Sequence, residues 1–357
     1  MNINPISTYA TALETRNIVR DTQNRIADLQ REMSTGKKAD ISADLGSRGA
    51  VLIGLRNDFA ATQEYIQGNG VIAGRMEVMQ TALGTVGEAA SGVRDTVLAI
   101  GENADGAVID RAARDAIEQV TMALNSNFSG RFLFSGTAVD TRPAMGPDER
   151  ITAADPTPLE LMDQAAADYF GVPLANLDAA LAGATEADID GLVAEFDQIF
   201  AGTHATYDFG AAFYAGNDER VSGQIGGEVA TDYGINADDP ALREVLKGLY
   251  LMHAFPEDRL NADASKHLNQ LATSRLGGGT DALTQDRARL GLQQETVERV
   301  TERHEVEAGV MNTQIVEMEQ ADQFETAARL NSLTSQLDAT FAVTARLSDL
   351  SLLNFLR

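Results

Sequence analysis

Proline is confined to one part of this chain, and the confinement decides most of what the rest can become. After Pro5 none occurs until Pro143, and after Pro256 none occurs at all. Proline removes a backbone donor and clashes with the preceding turn, so long helices tolerate it only near their start. Two long flanks are therefore free to be helical, and the middle must be a different kind of structure. After Gly309 glycine is absent as well. A helix from there to Arg357 would be roughly 70 Å long at about 1.5 Å per residue, too long to fold alone against a compact core.

The apolar residues of the flanks follow coiled-coil spacing. Val19, Thr22, Ile26, Leu29 and Met33 alternate steps of three and four, which places them on one seam. The seam ends at Ser34-Thr35-Gly36-Lys37, where Gly36 can take the left-handed conformation that closes a helix. Ile72, Met76, Met79, Leu83, Val86, Ala90, Val93 and Val97 form the longest unbroken run, and Ile109, Ala113, Ala116, Val120 and Leu124 share a face farther on. Gly84, Gly87 and Gly92 lie off or beside the long run and would permit close backbone approach there. Near the other end Val297, Val300, His304, Ala308, Met311, Ile315 and Met318 make a matching seam, continued by Leu330, Leu333, Leu337 and Phe341. Beyond these, Val343, Leu347, Leu350, Leu352, Leu353, Phe355 and Leu356 point in nearly every direction. Such a helix must be covered on all sides by its own chain, a bilayer or other copies.

Neither flank can bury its stripe alone, so the sequence predicts a mainly α fold. Its N- and C-terminal segments would form a long antiparallel helical hairpin or bundle, with a smaller α+β insert at the tip. The expected divisions are terminal assembly helices at 1–45 plus 315–357, a helical rod at 46–137 plus 264–314, and an acidic, solvent-facing insert at 138–263.

Charge and composition exclude several functions. A net charge of −25 opposes binding to nucleic acid, which needs a basic face, and to anionic membranes. Between Asp140 and Asp263 there are 24 Asp and Glu against 6 Lys and Arg, so this region carries most of the charge and is strongly hydrated. No cysteine is present, which removes disulfides and thiolate metal sites. No run of 18 apolar residues is present to span a bilayer, and Met1–Asp21 shows neither basic start nor apolar core, so no signal peptide is expected. Within the acidic region, Leu159–Phe170, Ile189–Phe200 after a turn at Gly183, and Pro240–His253 read as helices. Thr206–Gly234 reads as short strands.

Residues that suggest chemistry have simpler readings. Ser34-Thr35-Gly36-Lys37-Lys38 lacks the earlier glycine and the following hydroxyl of a phosphate loop. Gly277-Gly278-Gly279 follows no strand and is expected to be a flexible connector between the insert and the returning helix. His204, His253, His267 and His304 share no ligand spacing, and pairs such as Asp188/Asp190 and Asp238/Asp239 match no EF-hand loop. No nucleophile sits with a base in a fixed local arrangement. No catalytic residue, cofactor or metal is expected.

The most unusual stretch is Asn125 to Thr137, in which Asn and Gly end a helix and an extended segment would put Phe132 and Phe134 on one side and Leu133 on the other. Within it, Asn127-Phe128-Ser129-Gly130-Arg131-Phe132-Leu133-Phe134-Ser135-Gly136 resembles the flagellin superfamily in the form found in hook-associated junction proteins, where Gly-Arg precedes the aromatic residue. Three further segments, in matching order, carry the resemblance: Met33-Ser34-Thr35-Gly36-Lys37, then Gly234-Ile235-Asn236-Ala237-Asp238-Asp239-Pro240-Ala241, and finally Leu347 to Leu356. It does not reach Pro156–Phe200.

The resemblance implies an extracellular structural protein of the bacterial flagellum, exported without a cleaved signal peptide. Its implied partners are other copies in a ring or tube, neighbouring hook-associated proteins, flagellin, the export machinery and an export chaperone. The alternatives are a filament flagellin and a stand-alone helical adaptor. The residues expected to carry assembly are Val19, Ile26, Leu29, Met33, Leu337, Phe341, Leu347, Leu350, Leu353 and Phe355, because burying such side chains contributes about 1.5–3 kcal/mol each.

Overall fold

The computed structural model describes residues 5–41, 46, 48–100 and 106–355. Helix is the dominant element, as the proline distribution predicts. In order the chain forms α1 (Pro5–Thr35), α2 (Arg48–Ile100), α3 (Gly106–Leu124), a hairpin of β1 (Asn127–Phe128) and β2 (Arg131–Phe132), then α4 (Pro158–Phe170), α5 (Leu177–Ala182) and α6 (Glu186–Ala201). A second hairpin, β3 (Ser222–Gln224) and β4 (Ala230–Asp232), precedes α7 (Pro240–Ala254), α8 (Ala262–Glu319) and α9 (Gln323–Phe355). The described chain divides into two units, Tyr65–Arg303 and the pairing of Met1–Glu64 with His304–Arg357.

The unit Tyr65–Arg303 holds the large core. The long seam on α2 is buried there: Met76, Met79, Leu83, Val86, Ala90 and Val93 are all at most 3% exposed. Leu276, Leu283, Leu290 and Val297 of α8 belong to the same cluster. A Cβ added at Gly87 would meet Leu283, and one at Gly84 would meet Arg287, while Gln80 Nε2 donates to the Arg287 carbonyl at 2.7 Å. The partner number falls as the α2 number rises, so these stretches run antiparallel. Ile109, Ala113, Ala116, Val120 and Leu124 of α3 join the core.

The acidic region shares that core rather than making its own. Phe200 packs on Phe209 and Phe213 at ring distances of 5.3 and 4.9 Å, and Phe213 meets Tyr250 edge-on at 5.0 Å. Tyr250 on α7 is fully buried, and burial pushes its hydroxyl far above the usual tyrosine range. Capping explains the sharp helix limits here. Thr157 with Glu160 and Thr185 with Asp188 form capping boxes, and Gly171 and Gly202 close α4 and α6 in the left-handed conformation.

Three sequence expectations change. Gly277–Gly279 is no connector but lies inside α8. A Cβ on Gly279 would come within 2.8 Å of Val245 Cγ2 and 2.9 Å of its backbone nitrogen, and one on Gly248 within 2.7 Å of Leu276. Glycine lets α7 and α8 approach closely, and packing outweighs its poor helix propensity. The glycines of the long seam show the converse: at Gly84 and Gly87 a Cβ would make only ordinary contacts, and at Gly92 it would meet nothing. Lastly, β2 stops at Phe132, after which Leu133 and Phe134 are both buried rather than on opposite sides of an extended segment, whereas Thr206–Gly234 holds the expected short strands as β3 and β4, beside a 3-10 turn at Phe209–Ala211.

Candidate assembly site

The terminal unit offers a different surface. The α1 and α9 helices pair within it, and a small cluster forms where Leu52 and Ile315 meet beside Ile41, Leu55, Phe59 and Met318. Outside that cluster the stripes stay incompletely covered. Val19, Ile26, Leu29 and Leu337 are half-buried, while Met33 and Phe341 are 41% and 48% exposed. Two helices cover one face of each other and no more, so the rest of each stripe remains open to solvent. The side chains of Leu347, Leu350, Leu353 and Phe355, and the whole of Leu356, lie outside the described residues.

Where α1 ends and α8 gives way to α9, the two chain segments lock together. Gly36, at φ +69°, turns the chain, and its amide donates to the Glu32 carbonyl at 2.7 Å. The Ser-Thr-Gly-Lys turn is thus a helix cap, as its chemistry predicts. The next residues pair with the break after α8. Lys38 N donates to the Glu319 carbonyl at 2.8 Å and Ala321 N to the Gly36 carbonyl at 2.9 Å, flanking an antiparallel bridge between Lys37 and Gln320. Asp322 then starts α9 by accepting from Phe324 N at 2.9 Å and Glu325 N at 3.2 Å.

Glu319 sits at the centre of this joint. Its side chain is 6% exposed and accepts from Lys37 Nζ at 2.9 Å and from Arg56 Nε and Nη2 at 2.9 and 2.6 Å. Burial works to raise its carboxyl, but the hydrogen bonds from Lys37 and Arg56 outweigh it and hold Glu319 below the usual carboxylate range. Glu32 adds a further tie: its Oε1 accepts from Ala39 N at 2.9 Å. The Gly36 turn is legible in the sequence, whereas Glu319 and Arg56 are not. Their signal is a charged residue placed beside a seam, which in sequence resembles any solvated one.

The four histidines each face a carboxylate at 2.6–3.2 Å, namely Glu195, Asp110, Asp190 and Glu307. His304 is buried. Among the described residues no group of three His, Cys, Asp or Glu is placed to hold a metal ion. No described helix is long and apolar enough to cross a membrane.

Within the terminal unit the helices are paired but their apolar stripes are under-covered, whereas the unit Tyr65–Arg303 holds a buried helical core. Residues 6–139 match the N-terminal helical region of bacterial flagellin and residues 273–356 match its C-terminal helical region, together more than half of the chain. The chain belongs to the bacterial flagellin family and is a structural, non-enzymatic flagellar protein. Membership implies an exported protein of the flagellum that associates with other copies and other flagellar components. A solved chain from Vibrio parahaemolyticus, provisionally described as a flagellar hook-associated protein, aligns with 77% of this chain and 99% of its own, at 14% identity and a TM-score of 0.45. No curated protein matches the chain.

Proposed function

We propose that this flagellin-family chain is a hook-associated subunit of the hook–filament junction. The observation that carries the reading is Gly130-Arg131-Phe132-Leu133-Phe134, which resembles the junction-protein form of this segment rather than the filament form. In the structure Ser129 and Gly130, at φ 53° and 79°, make the hairpin turn that precedes Arg131. The assembly helices are 1–45 plus 315–357, with the rod at 46–137 plus 264–314 and the acidic insert at 138–263 facing solvent. Val19, Ile26, Leu29, Met33, Leu337, Phe341, Leu347, Leu350, Leu353 and Phe355 pack against neighbouring copies, another hook-associated protein and flagellin. Export proceeds through the flagellar channel without a cleaved signal peptide, with a chaperone holding the terminal segments.

The matched flagellin regions also favour a second reading, a filament subunit. Polymerisation of the purified chain, seeded with filament fragments and viewed by electron microscopy, separates the two. A junction subunit gives no micrometre-long filaments of its own, whereas such filaments would establish the second reading in its place.

A further inference from the structure

No glycine or proline follows Gly309, yet the last helix does not run through. α8 ends at Glu319 and α9 begins at Gln323. The residues around the gap, Glu317-Met318-Glu319-Gln320-Ala321-Asp322-Gln323, are mostly strong helix formers. A sharp interruption of a helix has an identifiable cause, commonly proline, glycine or a group inserted into the hydrogen-bond ladder. Proline and glycine are absent here, so the cause lies outside the helix.

The hydrogen bonds show where. The helical ladder holds as far as Gln320 N, which donates to the Val316 carbonyl at 2.8 Å, and has resumed at Thr326 N, which donates to the Asp322 carbonyl at 2.8 Å. Between them the partners are exchanged. Ala321 N donates to the Gly36 carbonyl at 2.9 Å, where a continuous helix would use Glu317. The Glu319 carbonyl accepts from Lys38 N at 2.8 Å, and the Met318 carbonyl from Lys38 Nζ at 3.2 Å, in place of Gln323 and Asp322 amides. Asp322 Oδ1 takes the amides of Phe324 and Glu325. Residues 36–38 and the Asp322 side chain therefore stand in for ladder bonds, and the ion pair from Lys37 to Glu319 fastens the same segment.

Without residues 36–38, the freed amides and carbonyls have each other as partners. A helix is costly to nucleate but easy to extend, and intact turns stand on both sides of the gap. We infer that the break is imposed by residues 36–38, and that α8 and α9 join into one continuous helix when this segment leaves. At about 100° per residue, Leu330 would then lie about 60° from Ile315, so the apolar stripes of the two helices would fall on nearly one side. The joint is thus a two-state switch that couples the seating of the α1 end to the direction of α9. It would operate alike in a junction subunit and in a filament subunit.

Substitutions in the full chain test the switch from both sides. Lys37→Ala with Lys38→Pro removes the ion pair to Glu319 and both donors to the Met318 and Glu319 carbonyls, and leaves the sequence of the gap untouched. Gln323→Pro does the reverse. Proline suits the first position of a helix, where Gln323 stands in α9, but inside a continuous helix it would lose the bond to the Glu319 carbonyl and clash with it. The readout is the set of Cα chemical shifts of Gln320, Ala321 and Asp322 in isotopically labelled protein, which separates helical from non-helical backbone. The shifts should be non-helical in the parent and in Gln323→Pro, turn helical in the Lys37→Ala, Lys38→Pro variant, and return to non-helical values when Gln323→Pro is added. Parental shifts in the releasing variant would mean that the gap is encoded locally and would overturn the proposal. Disordered shifts running on into α9 would overturn it as well, because the joint would then melt instead of joining. Helical shifts that survive Gln323→Pro would equally refute the continuous helix.

Discussion

The same three-and-four spacing has two outcomes in this molecule. In Tyr65–Arg303 the seam through Met76, Leu83 and Val86 is wholly buried, because α3, α7 and α8 all contribute side chains to the same core. In the terminal unit the seam through Val19, Ile26 and Leu29 is half-buried, and Phe341 across from it stays 48% exposed. Spacing states which side of a helix is apolar; the number of neighbours decides whether that side is satisfied. Full burial contributes about 1.5–3 kcal/mol per large apolar side chain, and the terminal helices realise only part of it, because much of their apolar surface stays uncovered.

The contrast can be broken by substitution. Leu83→Ala should have the largest effect, about 3–4 kcal/mol lost in chemical unfolding, because Leu83 is 0% exposed and its loss leaves a cavity. Gly279→Ala should cost about 1–3 kcal/mol, since the new Cβ meets Val245 and its backbone. Gly277→Ala, two residues earlier and open to space, should instead stabilise the same helix by about 0.5–1 kcal/mol. An equal sign for the two would show that α7 and α8 are not in close contact.

Glu319→Gln should cost about 1–2 kcal/mol, since Lys37 and Arg56 are half-exposed and regain water. This term depends on pH. The carboxyl of Glu319 is held below its usual range, so its stabilisation is present above the ordinary glutamate pKa and lost as pH falls through the lowered value. Asp238 and Asp286 run the other way, because burial raises both and protonation on acidification relieves the folded state. Melting curves of the parent and Glu319→Gln should therefore converge in acid, and curves that stay parallel would remove Glu319 from the account. The smallest effect belongs to Leu29→Ala. It should cost about 1 kcal/mol or less in the isolated subunit, because Leu29 is half-buried, yet impair assembly measured by co-sedimentation.

The helices were legible because proline placement and apolar spacing are local properties. Helices α4, α6 and α7 begin and end within three residues of their expected limits, each marked by proline, a capping threonine or a closing glycine. The short α5 escaped, since six residues carry too little periodicity to stand out. Gly277–Gly279 was misread because propensity sees only the chain neighbours, while the reason for glycine there is Val245 on another helix. Glu319 escaped for the same cause: it matters through Lys37 and Arg56, which lie 282 and 263 residues away along the chain.

A seam of repeated apolar residues has a weakness that the joint at Glu319 answers. Sliding one helix past its mate by seven residues again sets a mostly apolar stripe opposite an apolar stripe, so the stripes of α1 and α9 alone tolerate several alignments. The Lys37–Gln320 bridge and the Glu319 clamp occur once. Every slipped alignment forfeits them and strands a buried carboxylate. Glu319 thus serves as an index pin that selects one alignment from a repeating set, and every subunit would then present its neighbours with the same pattern of exposed side chains.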